Sequence, residues 1–540
     1  MEFDRARLMA RRAAAVAAGD WRDVTLLHHL ARAVAATPDK TAVAAIRTDG
    51  VEGRSETRLS YRQLDGLADR AAAGLAARGV GRGDTVSFQL PNWWEFTVLH
   101  LACLKLGAVS NPLMVIFRER ELSFMLDLAE TSVLVVPAQF RGFDYAGMAS
   151  NLRARLPRLR HVFTAGGSGA GAEPFEALLA GAPLARVTDL GADDVIQLLY
   201  TSGTTGEPKG VLHTSNTMLS NLVPFADRLG LGADDVIHMP SPMAHQLGFM
   251  YGLVLPVMLG ATAVLQDVFT APEMARQIIQ EGASFTMGAT PFLNDLTEHV
   301  AASGAGTPSL RVFVSAGAPI PRALVTRARP TLGAAVISAW GMSENGAVTT
   351  TRLDDPEEKA TTTDGLALPG MAVRVIDAEG DVLPAGAEGR LQVRGCSNFA
   401  GYLKRPELDN TDADGWFDTG DLARMDGEGY IRIAGRSKDI IIRGGENIPV
   451  VEVENLLYRH PAIAEVAIVG YPDARLGERA CAFVKLREGA ELSFADMAAF
   501  LADQQMARQY IPERLEIMDA LPRTPSGKIQ KFRLRETARG

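Results

Sequence analysis

Two hydrophobic periods alternate along this chain, and few folds satisfy both. Residues 61–78 and 96–106 place apolar side chains at helical spacing, while 85–90 and 133–136 are short strand-like runs. The alternation runs from residue 26 to about 191, and α/β layers over a largely parallel sheet accommodate it. It resumes with strands expected at 236–239, 261–265, 312–315 and 334–338, and with a helix at 272–281 whose first turn holds Pro272. The last two strands each run into a small-residue turn, Ala316-Gly317-Ala318 and Ala339-Trp340-Gly341. Turns at the carboxyl ends of parallel strands build the ligand crevice of such sheets.

The pattern changes near residue 371. From 371 to 393, β-rich runs are broken by Glu379-Gly380-Asp381 and Ala385-Gly386, which suits hairpins better than crossovers. A further hairpin-like stretch, 429–433, ends at Gly435-Arg436-Ser437-Lys438-Asp439. Beyond it, a strand at 440–443, a Gly-Gly turn, a helix at 451–459, a strand at 465–470 and a helix at 494–504 read as a compact α+β unit. The expected division is a large N-terminal domain, 1–437, of layered α/β subdomains plus a β-rich subdomain, and a small C-terminal domain, 438–540. The glycine cluster at 166–171 reads as a surface linker.

Composition narrows the partners. The 540 residues carry 55 Lys and Arg against 64 Asp and Glu, a formal charge of −9, which disfavours nucleic acid and anionic membranes. A polyanionic ligand must therefore meet local positive charge. Cys103, Cys396 and Cys481 lie far apart and form no CxxC pair, so neither a disulfide framework nor a zinc site is indicated and a reducing cytoplasm is expected. No apolar run approaches the roughly 20 residues that span a bilayer. Residues 1–20 are rich in Arg and Ala but include Glu2 and Asp4, and read as an amphipathic helix.

Chemistry begins where the apolar run 195–199 meets Tyr200-Thr201-Ser202-Gly203-Thr204-Thr205-Gly206-Glu207-Pro208-Lys209-Gly210. A strand running into hydroxyls, glycines and one lysine presents N–H groups, hydroxyl donors and a cation on one turn, which suits a polyphosphate. Pro208 separates Gly206 from Lys209, unlike the Walker pattern, in which Lys follows Gly directly and precedes Ser or Thr. Taken alone, the loop also fits a surface turn rich in turn-formers.

Several stretches together resemble the AMP-forming acyl-CoA synthetases of the adenylate-forming superfamily, which includes peptide-synthetase adenylation domains and luciferases. The resemblance runs through 201–210, Pro242-Met243-Ala244-His245, Ala339-Trp340-Gly341-Met342-Ser343-Glu344, Asp414-Gly415-Trp416-Phe417-Asp418-Thr419-Gly420-Asp421, Gly435-Arg436-Ser437-Lys438-Asp439 and Pro525-Ser526-Gly527-Lys528. The blocks span most of the chain in family order. They imply ATP, Mg²⁺ and CoA as cofactors, a small carboxylic acid as substrate, and catalysis dominated by charge neutralisation and positioning at the α-phosphate. A homo-oligomer is compatible with this reading.

Residue by residue, the resemblance implies that Thr201, Ser202, Gly203, Thr204, Thr205, Gly206 and Lys209 grip the β- and γ-phosphates and that Glu344 holds Mg²⁺. Asp421 would accept from the ribose hydroxyls, and Arg436 would reach ribose and phosphate. Adenine is expected on Trp340 beside Ala316, Gly317 and Ala318, with Gly341, Met342 and Ser343 completing that wall. Trp340 replaces the family's usual tyrosine, which keeps an aromatic face and loses a hydroxyl; ordinary core packing is its other reading. Lys528 reads either as a solvated tail cation or as the residue that contacts substrate carboxylate and α-phosphate during adenylation. Lys438 falls at the family's hinge, and rotation of the mobile C-terminal domain there would withdraw Lys528 from the site and bring in the loop Arg443-Gly444-Gly445-Glu446-Asn447 for the attack of the CoA thiol.

The expected acyl pocket is bounded by stretches 245–249, 288–292, 315–317 and 342–348, with His245, Phe249, Gly288, Gly317 and, just before the last stretch, Gly341 as the expected pocket residues. These stretches read as apolar or small, with His245, Glu344 and Asn345 as the polar exceptions, so an apolar acid is expected. His245 is equally a packing histidine or a lining residue. Residues 242–250 contain no acid to pair an amino-acid ammonium, which counts against a peptide-synthetase role. Pro91-Asn92-Trp93-Trp94-Glu95-Phe96, Asn111-Pro112-Leu113-Met114 and Phe117-Arg118-Glu119-Arg120-Glu121-Leu122 resemble the cyclohexanecarboxylate-CoA ligase branch, implying an alicyclic or medium-size acid. The rival expectations are an acyl-adenylate former that loads a carrier protein and a non-catalytic nucleotide- or acyl-binding protein on the same fold.

Overall fold

The computed structural model describes residues 2–48, 55–201, 208–317, 320–436, 441–443, 446–473, 475–504, 506, 508–524 and 527–539. Two large sheets carry the N-terminal domain. In the eight-stranded sheet, Val109–Pro112, Thr85–Phe88, Val133–Pro137 and His161–Ala165 run parallel, as the alternating pattern requires. Its far side adds Val195–Thr201, Lys209–Thr214 and the short Gly401–Tyr402 strand. The nine-stranded sheet holds Thr41–Arg47, Val236–Met239, Thr262–Gln266, Phe285–Gly288, Val312–Ser315 and Ala335–Met342 in parallel pairs.

Helices start where the sequence offers caps. Ser60 and Gln63 form a reciprocal capping box at Tyr61–Ala76, and Thr214 caps Ser215–Arg228 through the Thr217 N–H. The first helix, Arg5–Ala17, buries only Leu8 of its own residues, consistent with an amphipathic surface helix. It is clamped to the body by Arg11, which donates to the Asn398 carbonyl and, at 2.7 Å, to the Phe399 carbonyl.

One expected turn is a strand. Ala339-Trp340-Gly341 does not end the strand that begins at Ala335; the strand continues to Met342 and changes partner, pairing in parallel with Val312–Ser315 and then antiparallel with Gly346–Thr350. The turn falls at 343–345, so Glu344 stands at a hairpin tip. The hairpin closes so tightly that a Cβ on Gly341 would lie 1.8 Å from the Gly346 carbonyl oxygen. Small size at 341 thus serves a backbone approach, next to a bulge between Trp340 and Gly341.

Met371–Ile376, Glu388–Gly395, Phe417–Met425 and Ile431–Arg436 form the separate antiparallel sheet expected of the β-rich region. The C-terminal domain is built on Ile463–Asp473 and Gly477–Leu486, with helices Val450–Leu457 and Phe494–Asp503. Its core is separate from those of the N-terminal domain. It docks through Arg487, which donates to Glu298 at 2.9 Å. The boundary expected near Lys438 lies outside the described residues. Among those described, no helix is long and apolar enough to cross a membrane.

The hairpin closure makes a stability prediction. Gly341→Ala should cost more than about 2 kcal/mol, because backbone rather than a movable side chain occupies the added volume. Gly232→Ala, with open space at its Cβ position, should stay within about 0.5 kcal/mol in the same urea titration.

Candidate active site

The loop 201–210 begins and ends on paired strands, with Thr201 opposite Lys209. Ser202, Gly203, Thr204, Thr205 and Gly206 lie outside the described residues. Lys209 shares a sheet face with Val211, and Val211 is registered against Tyr402 on the neighbouring strand. A side chain two positions along can therefore reach over that neighbour, and the Lys209 ammonium stands 4.7 Å from the Tyr402 ring centroid. The hydroxyl of the same ring donates to Glu344 Oε1 at 2.7 Å. Burial, reinforced by the Glu344 carboxylate, raises the Tyr402 hydroxyl pKa and keeps it a donor.

The tip that carries Glu344 is held at every carbonyl. Ser343 O accepts from His213 Nε2 at 2.7 Å, which requires the proton on that nitrogen, and burial lowers the His213 pKa to about 4 so that the ring stays neutral. Glu344 O accepts from the Phe399 N–H at 2.7 Å. Asn345 O accepts from Ser397 Oγ at 2.8 Å and from Asn221 Nδ2 at 3.2 Å. Tyr251, in the π-turn Met250–Val254, accepts from the Ala347 N–H and donates to Asn221 Oδ1, both at 2.8 Å. Tyr402, His213, Asn221 and Tyr251 escaped the sequence reading because nothing in their type marks them.

Two of the residues expected at the nucleotide meet. Trp340 Nε1 donates to Asp421 Oδ2 at 2.9 Å, so the indole supplies a donor that fixes the carboxylate. Trp340 is also packed in the core with Phe399, Tyr402 and Phe417. Asp421 lies directly opposite Arg436 across antiparallel strands; Arg436 is described through its backbone alone. Ala316 is buried, Gly317 has φ +78° with open space where a Cβ would stand, and Ala318 lies outside the described residues. Met342 N–H donates to Asn345 Oδ1 at 3.1 Å, inside the hairpin.

His245, expected to line the acid pocket, caps a short helix, accepting from the Leu247 N–H at 3.3 Å. Its pKa falls to about 4, first through burial and then through the Lys528 cation, which places the C-terminal lysine within electrostatic reach. The Lys528 turn is shaped by Thr524, whose hydroxyl accepts from the Lys528 N–H at 3.0 Å and whose own N–H donates to the Lys528 carbonyl at 2.7 Å. Gly527 is buried against the N-terminal domain, and a Cβ there would lie 3.3 Å from that of Ala289. Lys528 itself is exposed.

The remaining pocket positions are uneven. Phe249 is fully buried, edge-on to His100 at 4.8 Å, and the Cβ space of Gly288 is filled by Phe292. Gln246 is a polar member of a stretch expected to be apolar; it is 3% exposed, and neither amide atom has a hydrogen-bond partner among the described residues. Asn92 pins the chain leading to His245, accepting from the Met243 N–H at 2.7 Å and donating to the Ser241 carbonyl at 2.9 Å. Arg443 is ion-paired with Glu513 within the C-terminal domain; Lys438, Gly444 and Gly445 lie outside the described residues. A cleft of about 440 Å³ bounded by Asp20, Arg228 and Arg352 shares no residue with this region.

No group of three or more His, Cys, Asp or Glu able to hold a metal occurs among the described residues. The buried carboxylate of Glu344 nevertheless suits a hard cation that draws its other ligands from phosphate and water, as Mg²⁺ does.

Residues 30–403 match the family model of the AMP-binding enzymes, and 452–528 match that of the AMP-binding enzyme C-terminal domain. The chain is 38% identical over 535 residues to the medium-chain fatty-acid–CoA ligase of Escherichia coli (strain K12), covering 97% of this chain and 92% of that one. It is 35% identical over 538 residues to the salicylyl-CoA synthase / salicylate adenylyltransferase of a Streptomyces species, covering 97% and 95%. An anthranilate CoA ligase solved in complex with anthranoyl-AMP superposes with TM-score 0.87 at 25% identity, covering 97% of this chain and 99% of that one.

The His245 pKa gives a pH prediction. Since burial holds the folded value at about 4, below the 6.5 of an ordinary histidine, its contribution to stability is present above 6.5 and is lost as pH falls through about 4. Lys528→Ala should move the folded value upward in a histidine NMR titration. An unmoved value would show that Lys528 is not docked there.

Proposed function

The chain belongs to the AMP-binding enzyme family and is an acid–thiol ligase of the AMP-forming type, and from that premise we propose how its own residues divide the work. The proposed reaction couples a carboxylic acid to ATP, giving an acyl-adenylate and pyrophosphate, after which the CoA thiol displaces AMP. The observation that carries this reading is the arrangement of cations at two ends of one site. Lys209, linked to Glu344 through Tyr402, stands at the proposed phosphate end, and Lys528 follows Gly527, which is seated against Ala289, with His245 within its electrostatic reach.

In this reading Lys209 and the loop hydroxyls steady the leaving β- and γ-phosphates, and Asp421, oriented by Trp340, accepts from the ribose. Lys528 offsets repulsion between the incoming carboxylate and the α-phosphate, the step where two anions approach. Mg²⁺, when held by Glu344, supplies charge neutralisation at the phosphates. The division at 437/438, a hinge at Lys438 and delivery of Arg443, Gly444 and Gly445 in the thioester step belong to the same proposal. The buried, free cysteines support a reducing, cytoplasmic setting.

For the acid we propose an apolar medium-size or alicyclic compound such as cyclohexanecarboxylate, supported by the largely apolar pocket stretches and the Asn92 segment that pins them. A hydroxyaryl acid is the second reading, favoured by the buried Gln246 amide. Mass spectrometry across aliphatic, alicyclic and hydroxyaryl acids with ATP, Mg²⁺ and CoA should show an acyl-CoA. AMP release without a thioester for every acid would favour carrier loading, and no ATP turnover at all would favour a binding protein.

Lys528→Ala should lower adenylate formation by on the order of 10²- to 10³-fold while leaving thioester formation from a supplied acyl-adenylate nearly intact. Equal losses in both half-reactions, measured by quench-flow, would contradict the division of labour.

A further inference from the structure

The phosphate end gathers a carboxylate and an ammonium that have opposite charges and different tasks. Brought into contact they would form an ion pair, and each would be lost to its ligand. Tyr402 stands at that junction. Its ring face takes the Lys209 ammonium, at 4.7 Å from the centroid, and its hydroxyl donates to Glu344 Oε1 at 2.7 Å. A neutral phenol satisfies a carboxylate lone pair without cancelling the charge, and an aromatic face holds an ammonium without supplying an anion.

The ring is placed by the fold. The two-residue strand Gly401–Tyr402 is laced to the lysine's strand by Ala400 N–H to Leu212 O and Leu403 N–H to Gly210 O, both at 2.8 Å. Phe399 packs edge-on against the ring at 4.7 Å, and the N-terminal helix clamps the Phe399 carbonyl through Arg11. The chain on the other side is fixed by Lys404 N–H to the Glu2 carbonyl at 3.0 Å.

We infer that Tyr402 is a positioning residue for the Mg·ATP complex: it orients Glu344 toward the metal and supports Lys209 for the phosphates while holding the two charges apart. The inference rests on the reading above, in which Glu344 holds the metal and Lys209 the phosphates. An outer partner of this kind typically governs about 10- to 100-fold in metal affinity.

Tyr402→Phe keeps the ring and removes the hydroxyl, whereas Tyr402→Leu removes both. By calorimetry on the full chain, with an inert ATP analogue, Tyr402→Phe should weaken binding of the Mg²⁺ complex about tenfold and leave the metal-free analogue within about twofold. Tyr402→Leu should weaken both forms. Unchanged binding of the Mg²⁺ complex by Tyr402→Phe, or equal loss for both forms, would overturn the inference. Glu344→Gln separates the two levels. If it leaves Mg²⁺-complex binding intact, the metal assignment fails; if it weakens binding while Tyr402→Phe does not, only the role of Tyr402 fails. Should the phenylalanine variant not fold, Tyr402→Leu is read instead, with a greater loss expected for the Mg²⁺ complex than for the metal-free analogue and an equal loss overturning the inference.

Discussion

A buried carboxylate at a hairpin tip is costly to hold unless its surroundings supply hydrogen bonds that keep its charge. At the Ser343-Glu344-Asn345 tip Tyr402 donates to the Glu344 carboxylate, while bonds from His213, Phe399, Ser397 and Asn221 to successive carbonyls fix the backbone that carries it. These partners come from the phosphate-loop strand, the helix behind it and the segment that returns to the eight-stranded sheet. Fixing one glutamate thus ties together the elements that carry Lys209, Trp340 and the π-turn beside the acid pocket. Loss of any one bond would let the tip move relative to Lys209.

The other end of the site is organised differently. Lys528 reaches the His245 region from a turn that belongs to a domain with its own core, and the contact between domains includes the Arg487–Glu298 pair and the seat of Gly527 against Ala289. An exposed ion pair contributes little, on the order of 0–1 kcal/mol. A cation held this way is easier to withdraw than one built into a sheet, which is what a two-step reaction at one site requires. On the proposed reading, a rigid phosphate end and a detachable acid-end cation would be complementary consequences of where the two lysines sit.

Much of the architecture was legible because period and punctuation act locally. The helix at 61–78, capped by Ser60, and the parallel strands at 133–136 and 312–315 emerge from residues within a few positions of one another. The Ala339-Trp340-Gly341 stretch misled because Gly341 signals a turn, whereas its size is needed to let the Gly346 carbonyl approach. Gln246 was passed over as one polar residue in an apolar run. Tyr402, Asn221 and His213 were out of reach for a deeper reason: their bonds to the tip span 58 to 130 sequence positions, and a tyrosine, an asparagine and a histidine in strands or helices look like ordinary core polar residues. The family blocks marked the groups that would meet ligand, not those that hold them in place.

If bond-making occurs at the α-phosphate with pyrophosphate leaving, before any thiol enters, labelled pyrophosphate should exchange into ATP in the presence of Mg²⁺ and an apolar acid but without CoA. The expected exchange depends on the acid. Absence of exchange with every acid that yields a thioester, or release of ADP and phosphate in place of AMP and pyrophosphate, would contradict it.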